Sequence, residues 1–316
     1  MIINAAGTLA LSSFGWVDAG SLWSYALGEP ETKQNHLSDA KWLTLVRGAE
    51  DYFAVVHHFE DGRVRLTSHS YRNVSETISS IELLIEDINS NDVKVAVSRF
   101  TGEGSAWSFL PRAYVVRPFG EAFLLLIDWT HKATQLQSPS WYKGSYDTMY
   151  QAILSVTEVP GSSLLIFSIQ RDSEPLLFDP TTSKIVQKLT LAHRRGNPQL
   201  YFRRMAPELW VSDYDTLVRL DSRNWNLLST LRLQEGLNGV ETSNIGEYYF
   251  SRDESLCLVA RPHSGDVLAI DPNTFTVTLQ VETGGQPEDV GLLRGGLAVA
   301  RDLETGRLLL GTLRSV

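Results

Sequence analysis

One feature constrains this chain more than any other: a strand–turn–strand unit that recurs with an aspartate at the end of its first strand. Leu176-Leu-Phe-Asp-Pro180 leads through Thr-Thr-Ser-Lys184 into Ile185-Val-Gln-Lys-Leu-Thr-Leu191. Leu217-Val-Arg-Leu-Asp221 leads through Ser-Arg-Asn-Trp-Asn226 into Leu227-Leu-Ser-Thr-Leu-Arg-Leu233. Val267-Leu-Ala-Ile-Asp271 leads through Pro-Asn-Thr-Phe275 into Thr276-Val-Thr-Leu-Gln-Val281. Alternating apolar residues make half-buried strands. An Asp side chain bonds the backbone two residues on, and a following Pro presets φ for a turn. Asp128, Asp179, Asp221 and Asp271 lie 51, 42 and 50 residues apart. Two further strand-like runs precede each later unit: Asn197–Phe202 and Glu208–Ser212, then Glu247–Phe250 and Leu256–Ala260. Four short strands every 40–50 residues is the period of a β-propeller blade.

The last unit, Gly285–Val290, Leu297–Ala300 and Arg307–Leu310, has only three strands. The strand-like residues 2–14 are free to supply a fourth and so close the ring, removing open edges. In the N-terminal half, Trp42–Val46, Tyr52–Phe59 and Arg63–Thr67 read as strands around a Glu60-Asp-Gly62 turn. Residues 80–85 read as a fourth strand or a short helix, and 93–137 as another blade. Six units are visible, and residues 1–40 leave room for part of a seventh. The expectation is an all-β propeller of six or seven four-stranded blades. Its ring is closed by the N-terminal strand, and residues 1–316 form a single domain without a Pro-, Gly- or Ser-rich linker.

Charge and cysteine usage narrow the function. The 37 acidic and 28 basic residues leave a net charge of −9. That argues against general affinity for nucleic acid or anionic membrane, which require basic surface. One cysteine, Cys257, excludes an internal disulfide and a multi-cysteine zinc site. It lies in an apolar strand and reads as an inert core thiol. The longest apolar run, Ala122–Ile127, has strand length. Met1–Leu11 has no basic leader region, so a cytoplasmic location is expected.

Gly265-Asp-Val-Leu-Ala-Ile-Asp-Pro272 and the blade-opening Gly285-Gln-Pro-Glu-Asp-Val290 resemble YVTN-type and NHL-type propeller repeats. That resemblance covers about residues 160–316. Ser251-Arg-Asp-Glu254 stands where such repeats carry a Ser-Pro-Asp-Gly turn, and Gly311 stands where the last aspartate would fall. A second resemblance is to the six-bladed gluconolactonase and regucalcin-like family, which binds a divalent metal in the central tunnel. It rests on Gly28-Glu29, on Asn238-Gly239 and on Pro287-Glu288-Asp289. It implies Glu29, Asn238 and Glu288 or Asp289 as ligands for calcium or manganese, and lactone hydrolysis through a polarised carbonyl.

Asp213 and Asp215 follow a strand in Trp210-Val-Ser-Asp-Tyr-Asp215; they read as a hairpin turn, or as a metal or acid–base pair. His57 and His69 sit on two strands of one hairpin and can face the same way. His193-Arg-Arg195 and Arg203-Arg204 form a basic cluster that reads as a solvated loop or a phosphate contact. Loop tryptophans read as binding anchors or as fillers between blades; Ser138–Tyr146 is the densest stretch. No Gly-x-Ser-x-Gly elbow, P-loop, dinucleotide fingerprint or His-Glu-x-x-His occurs. The favoured reading is a non-enzymatic binding protein without a cofactor. It presents Trp141, Tyr142, Tyr146, Asp213 and Asp215 to a protein partner, one with a basic surface, such as a toxin that it would inhibit.

Overall fold

The computed structural model describes residues 2–3, 9–13, 22–26, 29–35, 40, 42–47, 52–59, 63–84, 94–97, 112–116, 120–121, 124–128, 132–136, 143–144, 153–169, 172–179, 181–182, 184–189, 191, 198–233, 245–251, 253–293, 297–302 and 308–312. These residues form antiparallel sheets and no helix.

The first sheet runs β1 (Ile2–Ile3), β2 (Leu9–Ser13), β3 (Leu22–Ala26), β4 (Glu29–Asn35). The second runs β5 (Trp42–Arg47), β6 (Tyr52–His58), β7 (Arg63–Ser70), β8 (Asn73–Leu84). The chain then forms β9 (Lys94–Val97), β10 (Arg112–Val116), β11 (Gly120–Glu121), β12 (Leu124–Asp128), β13 (Lys132–Leu136) and β14 (Lys143–Gly144). The third sheet is β9-β10-β12-β13, and β11 pairs with β14. The fourth is β15 (Ile153–Glu158), β16 (Leu165–Ile169), β17 (Asp172–Asp179), β18 (Lys184–Lys188). The fifth is β19 (Gln199–Phe202), β20 (Glu208–Asp213), β21 (Thr216–Asp221), β22 (Leu227–Arg232). The sixth is β23 (Tyr248–Phe250), β24 (Cys257–Arg261), β25 (Asp266–Asp271), β26 (Thr276–Glu282). The seventh is β27 (Pro287–Leu293), β28 (Leu297–Asp302), β29 (Leu308–Thr312). Asp128, Asp179, Asp221 and Asp271 each end the third strand of their sheet.

First strands of successive sheets touch: β1 with β5, β15 with β9 and β19, β23 with β27, and β27 with β1. The ring therefore closes where β1 meets β27. One expectation is corrected here. Residues 2–14 do not complete the last sheet, because β1 and β2 hydrogen-bond within the first, with Ile2 opposite Leu11. Residues 2–35 hold four strands of their own, so they supply a seventh blade and leave none to lend. Residues 80–84 are strand, not helix.

The middle strands of blade six are largely apolar because a neighbouring blade covers each face. On β24 and β25, Cys257, Val259, Leu268 and Ile270 pack with Trp210, Leu217 and Leu233 of the fifth blade. Leu258, Ala260, Val267 and Ala269 point the other way, to Val290 and Ala300 of the seventh. Alternation with period two thus builds two cores from one strand pair. Each fully buried Leu or Ile contributes roughly 1.5–3 kcal/mol. On the fourth strand β26, Thr276 and Thr278 are exposed while half-buried Val277 packs on the five–six core and half-buried Leu279 on the six–seven core.

Candidate functional site

The turns from third to fourth strand are fixed by their aspartates. Asp179 accepts bonds from the Thr181 amide (2.8 Å) and from the Thr181 and Thr182 hydroxyls (2.6 and 2.9 Å). Asp271 accepts from the Asn273 amide at 2.8 Å. Asp221 accepts from the Arg223 amide and guanidinium, which hold its carboxyl at about 2. Each of the later two turns ends in a large aromatic with left-handed backbone, Trp225 (φ 62°) and Phe275 (φ 56°). Their amides donate to the carbonyls of Asp221 (2.7 Å) and Asp271 (2.8 Å). A left-handed residue other than glycine costs roughly 1–2 kcal/mol. Burial of Phe275 edge-on to Trp210, centroids 4.8 Å apart, offsets it.

The turn between the first and second strands of blade six carries a similar exception. The matching turn of blade four places its left-handed residue one position earlier, at Gly161 (φ 71°); here Glu254 adopts φ 52°. Ser251 and Asp253 lock the turn: the Ser251 hydroxyl donates to Asp253 (2.7 Å), and the Glu254 amide to the Ser251 carbonyl (2.9 Å). The buried Glu254 carboxylate reaches into blade five. There it accepts from the amides of Arg204 (2.7 Å) and Met205 (3.0 Å) and from Arg203 Nε (3.3 Å). Arg203 also donates to Glu208 at 3.2 Å. Glu208 accepts in addition from Trp210 Nε1 (3.1 Å) and stands 3.7 Å from Arg219. Arg219 donates to the carbonyl of Pro272 (3.0 Å), back in blade six.

This chain of charges lines a groove of about 400 Å³ between blades five and six. Met205, Ala206, Asp253, Ser255 and Asn273 complete its walls. Two guanidiniums face three carboxylates, so the groove carries one net negative charge. Met205 stands at its lip, 71% exposed. The Glu254 carboxylate is held as an acceptor by two amides and a cation, an arrangement suited to bracing rather than to proton transfer.

Asp213 ends β20, and Tyr214 and Asp215 form the two-residue turn to β21. This is the hairpin-turn alternative. Tyr214 is left-handed (φ 57°) and partly exposed, and Asp215 accepts from Thr216 (2.9 Å) and from the exposed Arg232 (3.1 Å). Trp141, Tyr142, Tyr146, Asn238 and His193–Arg195 lie outside the described residues. Glu29 begins β4, the outer strand of the first sheet, whereas Glu288 and Asp289 lie on β27, a first strand at the ring closure. The structure does not bring Glu29 together with that pair in strand order. Asp289 is buried, and the Glu288 carbonyl accepts from the Glu247 amide at 2.8 Å. Among the described residues, no three His, Cys, Asp or Glu side chains gather as a metal site would require.

His57 and His69 do face the same way. Both ring Nε2 atoms bond the Thr67 hydroxyl, at 2.8 and 2.7 Å, and the rings stack on Phe59 and Phe53. A hydroxyl has one proton, so at least one imidazole donates. The basic cluster is corrected in part: Arg203 is buried and doubly paired, not a solvated loop residue, because Glu208 and Glu254 neutralise it. Cys257 is fully buried and desolvation pushes its thiol well up, as a core thiol requires. Trp225 is a wedge filler, packed edge-on to Phe202 in the core between blades four and five. Sequence reading missed the groove. Its one legible sign is Glu254 itself, a large side chain where the repeat places glycine.

No family model matches the chain, and no curated protein matches it either. Solved structures do. It is similar over 99% of its length to 96% of the Cps50 (Swd1) β-propeller domain of Myceliophteria thermophila, at TM-score 0.66 and 13% identity. A chain of the mitotic checkpoint complex matches at TM-score 0.65 and 6% identity, covering 98% of this chain and 85% of that one. The Dos1 propeller matches at TM-score 0.59 and 13% identity, covering 98% and 76%. The fold is a β-propeller. At these identities the likeness extends to fold alone and does not separate the YVTN, NHL and gluconolactonase-like classes.

Proposed function

We propose that this propeller is a non-enzymatic binding protein whose groove face receives a partner protein bearing lysine or arginine. The observation that carries this reading is the groove between blades five and six. Its internal charges brace one another, and Asp253, held ionised by Ser251 and Ser255, is left over at the rim. Met205, flexible and exposed beside it, suits the aliphatic stem of a basic side chain. The overall charge of −9 adds long-range attraction for the same partner class. One structural neighbour is a chain of a multiprotein complex by its title, which supports the same use of the fold. The shared aspartate turn of blades four to six supports the YVTN/NHL repeat type. Inhibition of a basic toxin is the narrowest form of the proposal.

The rival surface is the opposite end of the strands. The turn Tyr214–Asp215 lies there, and the connection from β13 to β15, which carries Trp141, Tyr142 and Tyr146, starts and ends there. Affinity capture with the intact protein, followed by titration of the purified partner at two salt concentrations, separates the two. Asp253→Lys and Met205→Glu are expected to weaken binding at least about tenfold, roughly 1.4 kcal/mol. They are expected to leave circular dichroism unchanged. Loss confined to Asp215→Lys or Tyr214→Ala would move the contact to the other face. Capture unaffected by all four variants would overturn the reading.

A further inference from the structure

The outermost strands of blades two, four, five and six share an irregularity at one position, whereas β13 pairs without one. On β18, Gln187 pairs with Leu177 and Ile185 with Phe178, so Val186 is an extra residue. On β22, Ser229 pairs with Arg219 and Leu227 with Leu220, leaving Leu228 extra. On β26, Leu279 pairs with Ala269 and Val277 with Ile270, leaving Thr278 extra. On β8, Ser79 pairs with Ser68 and Thr77 with His69, leaving Ile78 extra. Val186, Leu228 and Thr278 each stand seven residues after the aspartate of their turn. Ile78, Val186 and Leu228 are 40%, 55% and 47% exposed, and so account for half of the large exposed apolar residues among the described ones.

Taken alone, three exposed aliphatics would suggest a sticky rim. Their shared position argues otherwise. A bulge adds one residue to a pattern whose period is two, so the outward N–H and C=O groups on its two sides fall out of phase. Beyond the bulge β18 offers only Gln187–Lys188, and before it only Lys184–Ile185. An incoming strand matched to one side is mismatched on the other. Exposed Lys184, Lys188 and Arg232 flank two of these positions, and charged edges also oppose strand addition.

We infer that the fourth strands of blades two, four, five and six are edges closed to strand addition by a bulge at one repeated position. Partners then meet this protein through its turn-bearing faces and not by extending a blade. This deepens the binding reading above, but its test needs no partner. Deletion of Val186, of Leu228 and of both restores a continuous edge. Sedimentation over a concentration series is expected to show reversible self-association that grows with the number of deletions, with the β-sheet dichroism retained. Val186→Ser and Leu228→Ser keep the bulge and are expected to sediment like the parent. If folded deletion variants keep the parent's association state, the inference fails. A second measurement uses the parent protein, so it stands even where a deletion unfolds the chain. A synthetic peptide copying residues 184–191 is expected to add no hydrogen-exchange protection to β18 or β22, and protection there would overturn it.

Discussion

Two neighbouring seams of this ring are built by different physics. Between blades five and six, one backbone bond runs from the Ile245 amide to the Tyr214 carbonyl (3.1 Å), and at the groove end side chains do the joining. Glu254 crosses to the amides of Arg204 and Met205, and Arg219 crosses back to Pro272. Tyr201 stacks on Phe250 beneath them, centroids 4.2 Å apart. Between blades six and seven the backbones themselves meet. The Glu247 amide donates to the Glu288 carbonyl, and a Cβ on Gly246 would fall 2.4 Å from that oxygen. At the start of the first strands the seams approach backbone to backbone, whereas at the other end the five–six seam is bridged by charged side chains that line the groove.

The largest break in this contrast is expected from Glu254→Ala. Removing Glu254 takes away one of the two carboxylates that pair with buried Arg203, leaving Glu208 alone, and strands the Arg204 and Met205 amides, at about 3 kcal/mol in all. Chemical denaturation measures it. Glu254→Gly sharpens the test, since glycine accepts φ 52° freely; it should recover about 1 kcal/mol relative to alanine. A glycine variant at parent stability would show that the brace contributes little. Gly246→Ala comes next, at about 1–3 kcal/mol, because a backbone oxygen cannot swing aside as a side chain can. It should leave the groove intact, so the two seams fail independently.

Smaller effects follow. Cys257 lies in the core of the five–six seam, and burial holds its thiol well above the usual range. Iodoacetamide at pH 8 should not label it in the parent but should label it in Glu254→Ala, reporting that this seam has opened. The smallest effect belongs to neither seam. Asp221 is paired with Arg223 and titrates at about 2, below the usual 3.8 of an aspartate. A depressed folded value means stability that is present above about 4 and lost as pH falls from there toward 2. Arg223→Ala should flatten that part of the acid unfolding curve by lowering stability slightly above pH 4 while leaving it unchanged near pH 2.

The architecture was largely legible in the sequence, because the aspartate turns and the alternating strands are local signals with local causes. Asp179, Asp221 and Asp271 bond their own turns. The first blade was half hidden: Glu29-Pro-Glu-Thr-Lys-Gln-Asn35 carries no apolar alternation, yet forms the fourth strand of its sheet. The groove was not legible, because it depends on residues about 50 apart meeting across a seam. Arg203 looks like part of an exposed basic pair in the sequence, and its burial beside Glu208 makes sense only when Glu254 arrives from the next blade.

The most direct test of the account places a photo-crosslinking amino acid at position 205, 214 or 228 of the intact protein and irradiates it in the native cell extract. The account predicts a discrete crosslinked partner from 205, lost when Asp253→Lys is combined with it, and none from 228. Crosslinking from 228 on the bulged outer strand, or from 214 alone, would contradict it.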